Sequence, residues 1–170
     1  MTEEHGLPDP PDDVTVEPAT PDNRLDVLRI LDAAMLETDA DAVDDRIAAG
    51  DALVARSTRT GGVVGALLAV RPDPDRLHVD AVAVRRARRG RGIGSALVAA
   101  AVDRGESDPA VDAVTATFDA DLRTFYEGLG FTIRPAGAAA DGAEEEVADG
   151  ADGRSTRLEG RTSVAGDGPP

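Results

Sequence analysis

Five arginines and three alternate glycines fall inside ten residues of this chain: Arg85-Arg86-Ala87-Arg88-Arg89-Gly90-Arg91-Gly92-Ile93-Gly94. The run follows an alternating apolar stretch ending at Val84 and opens onto the aliphatic segment that starts Ser95-Ala96-Leu97. That order predicts a strand, a tight turn and a helix start. A helix start exposes unpaired N–H groups and a partial positive charge, and glycines let an anion approach them closely. The chemistry this suits is phosphate binding. Backbone N–H groups from Arg89 through Gly90, Arg91, Gly92 and Ile93 to Gly94, with Ser95 in the first turn, are the candidate donors. Arg89 or Arg91 can add a bidentate contact to phosphate oxygens.

Spacing separates this loop from other phosphate-binding loops. A dinucleotide fold wants Gly-x-Gly-x-x-Gly directly after the strand, and counting from Gly90 and Gly92 the third position falls on Ser95. A nucleoside-triphosphate loop needs a lysine, and all 18 basic residues here are arginine. Arg89-x-x-Gly92-x-Gly94, five residues after Val84, resembles the acetyl-CoA pyrophosphate loop of the GCN5-related N-acetyltransferases.

A second segment, Asp119 to Phe131, carries the same resemblance through Phe125-Tyr126 and then Gly130-Phe131. In that family the tyrosine hydroxyl lies beside the coenzyme sulfur and can protonate the departing thiolate, so the resemblance assigns that role to Tyr126. Seven residues earlier the family usually has an asparagine on the pantetheine arm, and this chain has Asp119, which accepts hydrogen bonds but donates only when protonated. The resemblance also implies a splayed sheet in which backbone N–H groups near Val82 and Val84 hold the thioester carbonyl. For a base, His78 and Asp80 are expected on one face of that strand with Val82 and Val84. Histidine titrates near about 6.5, and a carboxylate at position 80 can act through water.

Composition narrows the classes. A length of 170 residues suits one domain, and the absence of cysteine excludes disulfides, thiolate metal sites and an acyl-cysteine intermediate; no metal site is expected. The segment Met1 to Asp13 lacks the basic and apolar regions of a signal peptide, and no apolar run approaches bilayer length, so a cytoplasmic protein without membrane contact is expected. Thirty-three acidic against 18 basic residues leave a net charge of −15, a balance like that of salt-adapted archaeal proteins. It argues against broad nucleic-acid binding.

The elements that must position these residues are readable from periodicity and turn chemistry. Val14-Thr15-Val16 reads as a strand, and Thr20-Pro21 opens an amphipathic helix with Leu25, Leu28, Leu31 and Met35 on one face, joined by Val27, Ile30 and Leu36. A second helix, Asp41 to Ala49, ends at Gly50. Strands follow at Ala52 to Arg56, Val63 to Val70 and Leu77 to Val84, then a helix from Ile93, a strand at Val111 to Phe118, a helix at Asp121 to Leu129 and a strand from Phe131. The expectation is an α/β fold of the acyl-CoA N-acyltransferase type, with a mixed, mostly antiparallel sheet flanked by helices. Residues 13–134 form the domain, 135–154 an acidic flexible segment and 155–162 a last strand, with 1–12 and 163–170 disordered. The function implied is direct acetyl transfer from acetyl-CoA to a primary amine of a small molecule or protein, with a homodimer possible; a non-catalytic acyl-CoA-binding regulator is the alternative.

Overall fold

The computed structural model describes residues 11–34, 36, 38–135 and 157–164. The expected disorder of 1–12, 135–154 and 163–170 therefore falls largely outside the described residues. Seven strands form one sheet in the order β1-β2-β3-β4-β5-β7-β6. The first four, β1 (Val14–Pro18), β2 (Ala52–Ser57), β3 (Val63–Asp73) and β4 (Arg76–Val84), make an antiparallel meander. Helix α3 (Ile93–Ser107) then crosses to β5 (Ala113–Asp119), which pairs parallel to β4. After α4 (Arg123–Gly128), the strand β6 (Thr132–Pro135) forms the edge, and β7 (Arg157–Ser163) inserts between β5 and β6.

Helices α1 (Arg24–Ala33) and α2 (Ala40–Ala49) cover one face of the sheet, packing Val27, Ile30, Leu31, Val43 and Ile47 on Val54, Ala66 and Leu68. Of the apolar residues expected on α1, Val27, Ile30 and Leu31 are buried, whereas Leu25 is 57% exposed. The helix entry is fixed locally. Thr20 donates its N–H to Asn23 Oδ1 at 2.8 Å, and Gly50 closes α2 in the left-handed region at φ 79°.

Helix α3 covers the other face, burying Ile93, Leu97, Val98, Ala101 and Val102. It comes close to the sheet because β3 has Gly65 beneath it. A Cβ there would stand 3.1 Å from Leu97 Cδ1 and 3.2 Å from Ile93 Cγ2. Gly65 thus sets the height of the α3 start over the end of β4.

Two irregularities in β4 shape everything downstream. Val79 opposes Ala69 and Ala81 opposes Leu68, so Asp80 is an extra residue in a β-bulge. The bulge reverses the phase of the strand. Leu77, Val79, Val82 and Val84 all face α3, whereas Ala81 and Ala83 face α1 and α2. The parallel pairing of β4 with β5 also stops early, running from Arg76↔Ala113 to Val79↔Ala116. Beyond it the two strands part.

Candidate active site

The gap between the ends of β4 and β5 opens onto a cavity of about 470 Å³. Its walls include Val82 and Val84 of β4, Gly92 and Gly94 at the start of α3, and Leu122 and Phe125 from the segment after β5. Arg85 donates its N–H to Val64 O on β3 at 2.8 Å. Successive N–H groups alternate in direction along a strand, so those of Val84 and Val82 point away from β3, into the gap. These two donors, the ones expected from the sequence, have no strand opposite them.

The Arg/Gly run forms a short 3-10 turn at Arg86–Arg88 and then the α3 N-terminus. Gly92 adopts φ 88°, a left-handed conformation that glycine reaches without strain, and a Cβ on it would meet nothing within 4 Å on the protein. The first helical bond runs from Ala96 N to Gly92 O, so the amides of Ile93, Gly94 and Ser95 have no acceptor inside the helix. Arg89 departs from expectation in one respect. Its own N–H is engaged by Arg86 O at 3.2 Å, because the preceding residues close a turn, so amide donors begin at Gly90. Its side chain remains well placed. Nε is anchored on Val84 O at 3.1 Å, which leaves both Nη groups to project an anion-binding edge. Among the described residues no acidic side chain lines this cavity, in a chain that carries 33 of them.

Tyr126 lies deeper than a cavity-wall residue. It is 5% exposed, stacked on Phe118 with centroids 4.1 Å apart, and touched edge-on by Phe125 and Phe131. Burial pushes its phenol up to about 12. The chain's four aromatic residues thus form one cluster beneath the cavity, with Phe125 in the wall.

The expectation that His78 shares a face with Val82 and Val84 is corrected by the bulge. The extra residue, Asp80, shifts the alternation by one, and His78 lies on the α1/α2 side of the sheet, opposite Val82 and Val84. There its Nδ1 is 2.7 Å from Thr115 Oγ1, a buried hydroxyl on β5. Burial lowers the His78 pKa first; Asp80 and Glu159 oppose this and Arg76 adds to it. Asp80 itself is exposed on the bulge. Asp119, at the end of β5, pairs with Arg157 Nη1 at 3.3 Å. Among the described residues no group of three His, Asp or Glu side chains could hold a metal ion.

Sequence reasoning missed Thr115 and Leu122, because neither a lone strand threonine nor a leucine in a helix-opening turn carries a spacing signal.

The sequence matches the model of the acetyltransferase (GNAT) family over residues 25–131. The chain belongs to the GNAT family. No curated protein matches it at significant similarity. Among solved structures the GNAT chain is similar to Ard1 from Thermoplasma volcanium, with a TM-score of 0.66 and 19% identity, covering 89% of this chain and 98% of that one. It is also similar to yncA from Salmonella typhimurium, solved with its cofactor acetyl-CoA, with a TM-score of 0.65, 18% identity and coverage of 94% and 98%. Arabidopsis thaliana Naa50, solved with the bisubstrate analogue CoA-Ac-MVNAL, gives a TM-score of 0.64 and 20% identity over 89% of this chain and 99% of that chain. At these identities the likeness is one of fold, and it includes the mixed sheet that this GNAT member was expected to have.

Proposed function

We propose that this GNAT acetyltransferase binds acetyl-CoA across the α3 N-terminus and the β4–β5 gap and moves the acetyl group directly to a primary amine. One observation carries the reading: two unpaired strand amides and an unpaired helix N-terminus line the same acid-free cavity. The pyrophosphate is held by the amides from Gly90 to Ser95 and by the Nη groups of Arg89, with Arg91 adding charge. The thioester carbonyl accepts from the N–H of Val82 or Val84, which polarises it. In the transfer a C–N bond forms and the C–S bond breaks; the amine gives up one proton and the thiolate gains one.

Tyr126 is the proposed hydrogen-bond donor to that thiolate. With its pKa about 12 it stays protonated throughout the neutral range. A net transfer from it to a thiolate whose conjugate acid titrates near about 8.5 is uphill by about 5 kcal/mol. The hydroxyl therefore stabilises the leaving sulfur by donation, and the proton that finally stays there originates from the amine. Asp80, exposed at the bulge, takes the amine proton through water and returns it to water, from which the departing sulfur is protonated. His78 can act as base only when Thr115 releases Nδ1.

The alternative, a non-catalytic acyl-CoA-binding protein, is favoured by one fact: the Tyr126 ring packs in the core and only Phe125 reaches the cavity wall. Turnover decides between them. The purified protein, given acetyl-CoA and a panel of primary amines, should release coenzyme thiol with some amine; cofactor binding without thiol release from any amine supports the regulator.

We also read the chain as cytoplasmic, from a salt-adapted archaeon and without nucleic-acid partners, with a homodimer possible. Support comes from the net charge of −15 and the family resemblance, and no described helix is long and apolar enough to cross a membrane. The catalytic unit is residues 13–134, with 157–163 completing its sheet.

A further inference from the structure

A second cavity, of about 320 Å³, lies between α1 and the turn that follows β4. Four arginines line it: Arg29 from α1, and Arg85, Arg86 and Arg89 from the turn, over a floor that includes Ile30 and Val84. Among the described residues no carboxylate lines it. This composition runs against that of the whole chain, in which acidic residues outnumber basic ones by 33 to 18. Elsewhere the arginines are mostly spent on carboxylates, as with Arg24 on Asp44, Arg56 on Glu17 and Arg134 on Glu159. Among the described residues, none of the four around this cavity forms a salt bridge. Two are preorganised. Arg85 Nε donates to Val63 O at 2.8 Å and Arg89 Nε to Val84 O at 3.1 Å, so both are fixed at Nε with their Nη groups unengaged. Clustered like charges repel, and in an acidic chain the ready relief is a nearby aspartate or glutamate; the described residues supply none at this cavity.

We propose that this cavity is a binding site for a compact anionic group, a phosphate or carboxylate, distinct from the pyrophosphate loop. Arg29 and Arg86 supply charge and Arg85 supplies fixed donors, while the Nη groups of Arg89, at the edge the two cavities share, stay with the pyrophosphate. The cavity shares Val84 and Arg89 with the cofactor cavity but reaches it from the α1 side of the sheet, opposite α3. That side favours an anion carried by the amine acceptor, a reading that rests on the proposed acetyl transfer. The same chemistry is present in the ribose phosphate of coenzyme A, which is the other source.

Calorimetric titration at one fixed low-chloride buffer separates the sources, using wild type and the Arg29→Gln, Arg86→Gln double variant. Neither substitution touches the core, and circular dichroism checks the fold. Inorganic phosphate, titrated into protein saturated with coenzyme A, should bind the wild type one-to-one and the variant at least tenfold more weakly; this supports an acceptor-carried anion. Should phosphate bind only the cofactor-free protein, with dephospho-coenzyme A losing the same tenfold against coenzyme A that the variant loses, the anion is the cofactor's. Phosphate binding to a wild type that takes up no coenzyme A would uphold the anion site while removing the acetyltransferase reading. Equal binding of phosphate, coenzyme A and dephospho-coenzyme A by wild type and variant overturns the proposal.

Discussion

His78 Nδ1 and Thr115 Oγ1 stand 2.7 Å apart across the last paired rungs of β4 and β5, and Thr115 is 2% exposed. Among the described residues His78 is the only side-chain partner of that hydroxyl. A buried hydroxyl that donates to nothing costs about 1–3 kcal/mol, which favours the tautomer in which Thr115 donates and Nδ1 accepts. That tautomer carries the ring proton on Nε2. Protonating the ring would force Nδ1 to become a donor and orphan the hydroxyl, which adds to the burial that already holds His78 neutral.

This pair fixes the sign of a pH effect. The His78 pKa is lowered in the folded state, so as pH falls through about 6.5 the unfolded chain takes up its proton first. Stability is therefore full above about 6.5 and declines as pH drops from there toward the folded value. Thermal unfolding followed from pH 7.5 downward, above the carboxylate range, should show this slope in wild type, less of it in Thr115→Val and none in His78→Gln. An unchanged slope in His78→Gln would refute the assignment.

Tyr126→Phe removes one oxygen from a ring that packs against three others and leaves the packing intact. We expect kcat to fall at least tenfold, with KM for acetyl-CoA within about twofold, because the lost donation matters only as the sulfur leaves. Unaltered kcat would return Tyr126 to the core alone.

Asp51 is a structural anchor well away from the cavity. It is 3% exposed and takes Arg71 Nε at 3.0 Å and Arg104 Nε at 3.1 Å, tying the α2–β2 junction to β3 and α3. Hydrogen bonds to Asp51 and Asp108 raise the Arg71 pKa. Removing one partner of a buried pair costs about 3–5 kcal/mol, and the low end applies because Arg71 and Arg104 remain 29% and 32% exposed. Asp51→Asn should lower the denaturant-unfolding free energy by about 3 kcal/mol while leaving acetyl-CoA affinity unchanged.

Surface charge predicts a salt effect of opposite sign to that of ordinary surface ion pairs. With 33 acidic side chains and a net charge of −15, repulsion dominates, and salt at molar concentration screens it. Tm should rise on going from about 0.1 to 3 M KCl. A flat Tm would mean that the acidity reflects composition without salt adaptation.

Much of this molecule was legible in the sequence, and the gaps have physical causes. Turn glycines and prolines located the strands, and the aliphatic run after Gly92 located α3. The bulge at Asp80 was not legible, because an alternating pattern of apolar and polar residues reads the same until an inserted residue reverses it. The position of β7 between β5 and β6 was hidden by the long connection, whose composition says nothing about where its far end pairs. Arg29 escaped notice because it meets Arg85 and Arg86 only after α1 folds back over the sheet. The turn into α3, by contrast, was set by local glycine spacing, and it leaves the amides of Ile93, Gly94 and Ser95 without an acceptor inside the helix while that of Arg89 is bonded to Arg86 O.

The central claim is that the acid-free cavity at the α3 N-terminus holds acetyl-CoA, and its direct test is calorimetric titration beside a Gly92→Asp variant. Gly92 lies at φ 88° with open space where a side chain would project, so aspartate there both strains the turn and sets a negative charge against the pyrophosphate. The account predicts saturable one-to-one binding by wild type and a loss of at least a hundredfold in the variant. Absence of binding by folded wild-type protein, or equal binding by both proteins, would contradict it.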